Sequence, residues 1–195
     1  VDTLLDFDKN LFLGLNGFHA DWLDPVMITL TRPLVWLPFY LVLLYFTVKS
    51  LGKDTWIFLG ALTITLVAGD QITSGLMKPL FERLRPSHEP ALQGMVHLVD
   101  GYRGGRFGFS SGHAANTLSV AVFFSVVLGN THNWIWVLYP WAFLMAYTRI
   151  YLGVHYPGDI VAGFAVGVAS AWVGIAIFRM GRNYRNRKQS ATSSP

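Results

Sequence analysis

Three polar clusters stand at the ends of apolar stretches in this chain, and their residue types suit phosphate chemistry. The first pairs Lys78 with Arg85-Pro86. The second, Ser110-Ser111-Gly112-His113, opens an apolar run. The third is Thr148-Arg149, followed by His155 and then Asp159. Lys78 and Arg85 lie about two helical turns apart, so they can share a face. Two cations held on one face repel unless an anion sits between them. Lysine offers that anion a point charge and arginine a bidentate fork. Serine at a helix start exposes unpaired backbone N–H groups at the positive end of the dipole, a ready anion site. Gly112 lets the backbone approach the anion closely, and His113 projects from the first turn. Asp159 can orient His155 by accepting a hydrogen bond from one ring nitrogen, which leaves the other free to attack. Together these groups could grip a phosphate and break its ester bond. Each cluster alone also fits an ordinary role: a capped helix with an interfacial histidine, a solvated basic patch, an arginine snorkelling to an interface.

The surrounding chain must place these groups at a bilayer. It has 195 residues, 52% hydrophobic and 13% charged, with seven Trp and fourteen Phe. Soluble domains carry about 25% charged residues, so the composition points to an integral membrane protein of one domain. Cysteine is absent, which excludes a disulfide framework and a thiolate zinc site. A spanning helix needs roughly 20 apolar residues, and segments near 55–75, 114–130, 134–152 and 159–179 qualify. Residues 34–50 form a shorter fifth. Arg32-Pro33 separates them from an apolar stretch at 22–31, which reads as an interfacial or re-entrant helix, with one tilted helix over 22–50 as the alternative. Residues 3–15 place Leu4, Leu5, Phe7, Leu11 and Phe12 near one face, the pattern of a helix lying on the membrane. The expected fold is all-α: a bundle of about five transmembrane helices plus an N-terminal amphipathic helix. The expected organisation is 1–21 interfacial, 22–180 core and 181–195 a disordered basic tail. No basic stretch with a small-residue cleavage site precedes the first apolar segment, so the first membrane helix is expected to be the targeting signal.

Charge sets the orientation. Asp2, Asp6, Asp8, Asp21 and Asp24 face Lys9 alone near the start, whereas Arg179, Arg182, Arg185, Arg187 and Lys188 crowd the end. A basic tail directly after a hydrophobic helix marks the cytoplasmic face and contacts anionic headgroups; it is not read as a nucleic-acid site. Counting back through five spans puts all three polar clusters on the outer face. Lys78, Arg83, Arg85, Arg103 and Arg106 then defy the positive-inside bias, as residues with a functional task would. Gly163 and Gly167 form a small-xxx-small pair for close helix packing within the bundle. Asp70 and Gln71 near the outer end of one span could anchor the helix end or support the site.

Taken jointly, K-x6-R-P, then S-G-H, then R-x5-H-x3-D resembles the type 2 phosphatidic acid phosphatase superfamily over roughly 22–179. These are metal-independent membrane phosphatases that share their site with vanadium haloperoxidases. The resemblance implies that His155 attacks phosphorus to form a phosphohistidine, Asp159 orients it, and His113 protonates the leaving oxygen and then activates water. It implies that Lys78, Arg85, Arg149, Ser111 and the Gly112 backbone hold the phosphoryl oxygens, with no metal and no cofactor. Ser110 stands where the family usually has proline, and Thr148 where it usually has serine. The implied substrate is a lipid phosphate of a bacterial inner membrane, cleaved on its outer face with the C-terminus cytoplasmic. Undecaprenyl diphosphate is the expected choice; phosphatidylglycerophosphate, phosphatidate and lipid A phosphate are alternatives. Arg103 and Arg106 in the 87–108 loop could contact a second phosphate at the rim or remain solvated. Hydrophobic spans argue against a soluble haloperoxidase, and polar groups gathered at one surface argue against a transporter. The sequence carries no signal for oligomeric state.

Overall fold

The computed structural model describes residues 2–192 and is all-helical, apart from an isolated antiparallel bridge between Leu84 and Phe107. Helix α1 is Asp2–Asn16 and the short α2 is Asp24–Leu30. Arg32, the residue before Pro33, is extended, because the proline ring crowds a helical conformation there. The 22–50 stretch is therefore two helices, the second being α3, Leu37–Leu51. Gly52 has φ +52° and turns the chain into α4, Thr55–Asp70. A π-helical segment, Gln71–Met77, continues α4 into α5, Lys78–Phe81, which Glu82 ends in the left-handed region. After a long loop come α6, Gly112–Leu128, α7, Leu138–Tyr151, and α8, Pro157–Thr192.

Helix α6 is the most enclosed element and packs against α4, α7 and α8. Around its middle, Phe58 meets Phe123, Phe124 and Phe178 edge-on at 4.9, 5.0 and 5.8 Å between ring centres. Such pairs add about 0.5–1.5 kcal/mol each beyond burial. Gly163 and Gly167 face the α6 backbone, where a Cβ would run into the carbonyl oxygens of Ser111 and Ala115. The small-xxx-small pair thus serves packing within the chain.

Outward faces are apolar. On α3, Leu37, Leu41, Tyr45 and Val48 are exposed; on α8, Val161, Trp172 and Val173. Two helical stretches are long and apolar enough to cross a bilayer, 33–81 and 157–191. Helix α6 is apolar but has 17 residues, and α7 has 14. At 1.5 Å per residue α6 reaches about 25 Å, short of a roughly 30 Å hydrocarbon core. Two stretches thus meet that length and hydropathy, the first of them turned at Gly52, and the expected count of about five crossing helices is not confirmed.

One expectation changes. Residues 181–192 are not a disordered tail: α8 runs unbroken to Thr192, since nothing after Pro157 breaks a helix and Asp54 anchors the basic face. Arg182 and Arg185 pair with that buried carboxylate at 3.3 and 2.7 Å. Residues 193–195 lie outside the described part. Helix α1, expected to lie on a membrane, also packs against the bundle. Leu4, Leu5, Phe7 and Leu11 are exposed, but Phe12 is buried edge-on against Tyr156. Asn16 is buried too, with its amide donating to the carbonyls of Ile150 and Tyr151.

Gly167→Ala should lower stability by about 1–3 kcal/mol, because overpacking against a backbone carbonyl outweighs the helix propensity gained. Gly60→Ala, where nothing lies within 4 Å of the new methyl, should be neutral or mildly stabilising. Thermal unfolding in detergent, the two variants side by side, measures both.

Candidate active site

At the bundle end opposite the Asp54 ion pairs, the three clusters converge on one basin of about 310 Å³. Lys78, Arg85, Gly112, His113, Arg149 and His155 all line it. The rod 55–81 delivers Lys78 through its π-helical segment, Gln71–Met77, a feature frequent at functional sites. Lys78 Nζ donates to Ser74 Oγ at 2.9 Å, and Ser74 Oγ to Asp70 Oδ1 at 3.2 Å, a ladder of three side chains four residues apart. Asp70 therefore faces the site and supports its lysine.

Arg85 and Arg149 are buried, 8% and 3% exposed. Arg85 Nε donates to Phe107 O at 3.0 Å, and Nη1 to Val154 O at 3.4 Å. Gly104, at φ +65°, leaves just enough room beside that guanidinium; a Cβ there would lie 2.7 Å from Nη1. Arg149 Nη2 donates to Tyr102 Oη at 3.1 Å, while its buried Nε has no partner. Among the described residues, none of these three cations is in a salt bridge. Buried guanidinium groups without a counter-charge are costly, so the basin is built to receive an anion.

His155 is 2% exposed and sits in the turn between α7 and α8. Its Nδ1 lies 3.3 Å from Asp159 Oδ2, which also accepts the Tyr156 N–H at 3.0 Å. That contact fixes the tautomer with the proton on Nδ1 and frees Nε2. Burial pushes the imidazole pKa down to about 4 against the opposing pull of Asp159, so the ring is neutral near pH 7. His113 stands in the first turn of α6, within the same basin.

Three expected residues do not reach the basin. Ser111 is fully buried, and its hydroxyl caps α6 by accepting the Ala114 N–H at 3.4 Å. Its own N–H donates to Asp159 O at 3.0 Å. Arg103 and Arg106 are exposed and stand apart from the lining: Arg103 donates to Ser87 O, and Arg106 packs over the Phe107 ring. Tyr102, Gly104 and Gly105 take the loop's place in the wall. Ser74 and Asp70 had a sequence signal, their four-residue spacing back from Lys78. Asn116, three residues beyond His113, had one too. Tyr102 had none.

Asn116 also lines a second cavity of about 450 Å³, an apolar groove between α3, α4 and α6. Its walls include Leu43, Leu44, Leu62, Leu66 and Phe124. Polar basin and apolar groove thus meet at one side chain, whose buried Oδ1 has no partner.

Residues 54–183 match the family model of the PAP2 superfamily. A lipid A 4'-phosphatase of Bacteroides thetaiotaomicron is 36% identical, covering 100% of this chain and 86% of that protein. An undecaprenyl-diphosphatase of Sulfolobus acidocaldarius is 28% identical over 87% of this chain and 76% of its own length. The crystal structure of Aquifex aeolicus LpxE shares the fold with a TM-score of 0.62 at 23% identity, covering 86% of this chain and 94% of that one.

Histidine-selective NMR, with His155→Gln to assign the signal, should show His155 titrating near 4 and not near its ordinary value of about 6.5. The unfolded chain binds this proton more readily than the fold does. Stability should therefore fall as pH drops from about 6.5 to about 4, and His155→Gln should flatten that part of the profile.

Proposed function

The chain belongs to the PAP2 superfamily and is a membrane lipid phosphatase, and from that premise we propose that it removes a phosphate monoester from lipid A. The observation that carries this reading is the shared wall at Asn116, which lines both a basin with three unneutralised cations and a neighbouring apolar groove. A ligand filling both has a phosphate at one end and an acyl chain at the other. The similarity to a lipid A 4'-phosphatase extends over the whole chain, which ranks this lipid above the undecaprenyl diphosphate expected from sequence. A diphosphate would call for cations at a second phosphate, and Arg103 and Arg106 stand outside the basin.

In the proposed mechanism Lys78, Arg85 and Arg149 hold the phosphoryl oxygens, helped by the Gly112 N–H at the start of α6. His155 Nε2 attacks phosphorus. The N–P bond forms as the P–O ester bond breaks, and His113 gives its proton to the departing sugar oxygen. Asp159 stabilises the positive charge that appears on the His155 ring. Water then attacks phosphorus, His113 takes its proton, and the N–P bond breaks to release inorganic phosphate. Such chemistry rests on positioning and charge stabilisation, and the covalent step divides one high barrier into two lower ones. No step calls on a metal. The positive-inside bias supports a cytoplasmic Arg182 and Arg185 end and, with it, a basin on the outer face of a bacterial inner membrane.

Phosphate release should be measured from purified protein on lipid A, undecaprenyl diphosphate, phosphatidylglycerophosphate and phosphatidate. Lipid A should give the highest kcat/KM, and another lipid ahead of it would reassign the substrate. His155→Gln should cut release from every lipid by on the order of 10³-fold or more. Orthovanadate should inhibit and EDTA should not.

A further inference from the structure

Arg83 is a fourth cation near the basin, and it behaves unlike the other three. It is absent from the lining and is fully engaged by carboxylates. Its Nη1 donates to Asp159 Oδ1 at 2.9 Å and its Nη2 to Asp8 Oδ2 at 2.7 Å. The guanidinium lies 4.0 Å over the Tyr156 ring, which keeps it flat between its two partners. Asp8, on α1, also accepts the Gly158 N–H through Oδ1 at 2.7 Å. That N–H belongs to the first turn of α8, two residues before Ile160 and next to Asp159 itself. Phe12 and Asn16 pin α1 further along, so the position of Asp8 is set by its helix.

We propose that Arg83 and Asp8 are positioning residues for the His155–Asp159 pair, and that α1 is thereby a working part of the active site. This rests on the assignment of His155 as nucleophile. Asp159 must present Oδ2 to His155 with little freedom, and Arg83 fixes the carboxylate plane by holding Oδ1. Arg83 alone would also drain the negative charge that Asp159 needs once His155 turns cationic. Asp8 shares the guanidinium and leaves that charge in place. It also keeps Arg83 from swinging into the basin to compete for the phosphate.

The test uses the full chain in lipid–detergent micelles with the lipid phosphate of highest turnover. Arg83→Gln should lower kcat by on the order of 10²-fold, the scale of a misplaced reacting group, with KM little changed. Arg83→Lys should recover part of the loss. Asp8→Asn should lower kcat by roughly 10-fold, as loss of an outer partner of an oriented histidine does. The double variant should be no worse than Arg83→Gln, because Asp8 acts through Arg83. The acid limb of kcat/KM should move to higher pH in Arg83→Gln, since a positive charge near His155 is lost. The other charged and titratable groups around that ring, Asp159 on α8, Arg149 on α7, Arg85 in the loop and the His113 imidazole on α6, remain in place.

A raised KM with unchanged kcat would make Arg83 a phosphate ligand and overturn the proposal. Additive losses in the double variant, or an acid limb that stays where it is, would overturn it as well. If Arg83→Gln does not fold, Asp8→Asn and Arg83→Lys decide through the same readouts. Should His155→Gln stay active, the nucleophile assignment fails; should it be inactive while Asp8 and Arg83 variants match wild type, the positioning role alone fails.

Discussion

A carboxylate sealed from water must have its oxygens accounted for, and Asp159 has no exposure at all. One oxygen serves the His155 ring and the Tyr156 N–H; the other serves Arg83. Its backbone carbonyl takes the Ser111 N–H. Burying such a charge costs several kcal/mol unless partners surround it. The side-chain partners come from the loop after α5 and the α7–α8 turn, the backbone partner from the start of α6, and α1 joins through Asp8, which holds Arg83. Satisfying this one residue therefore gathers the elements that carry the chemistry.

The cationic side of the basin follows the opposite logic. Lys78, Arg85 and Arg149 are held by neutral oxygens, from Ser74, two backbone carbonyls and Tyr102. Those bonds aim the charges without cancelling them. Asp8 and Asp159 are spent on Arg83 and His155, and Asp70 reaches Lys78 only through Ser74, so none of the three cations is paired directly with a carboxylate. This division explains why four basic residues within one site have two different tasks, a distinction that charge alone does not draw.

Much of this was legible in the chain. Spacing paired His155 with Asp159, a local relation, and grouped Lys78 with Arg85, but not by the shared helical face expected: α5 ends at Phe81, and Arg85, extended before Pro86, reaches the basin from the loop. The break at Arg32-Pro33 was visible as a proline rule. Long-range partners were hidden: nothing near Asp8 announces that it reaches Gly158 and Arg83, and Tyr102 lies in a loop whose path has no periodicity. Ser111 was expected on phosphate from the family resemblance, whereas its hydroxyl caps α6, the role its place at a helix start also suggested. The tail was expected to be disordered from its charge; the sequence does not reveal that Asp54 waits for Arg182 and Arg185 across the bundle.

The glycines of α8 have a consequence for the gap between the two histidines. Gly163 and Gly167 bring the α8 backbone against that of α6, and the Ser111–Asp159 hydrogen bond locks the two helix starts together. His113 rides on one of those starts and His155 is tied to the other. Their separation is therefore gauged by a helix interface, as by a caliper, and not by the long loop from 82 to 111 that lies over them. The exposed part of that loop, where Arg103 and Arg106 stand, can be recharged for a different headgroup while the calibrated distance between the two rings stays the same.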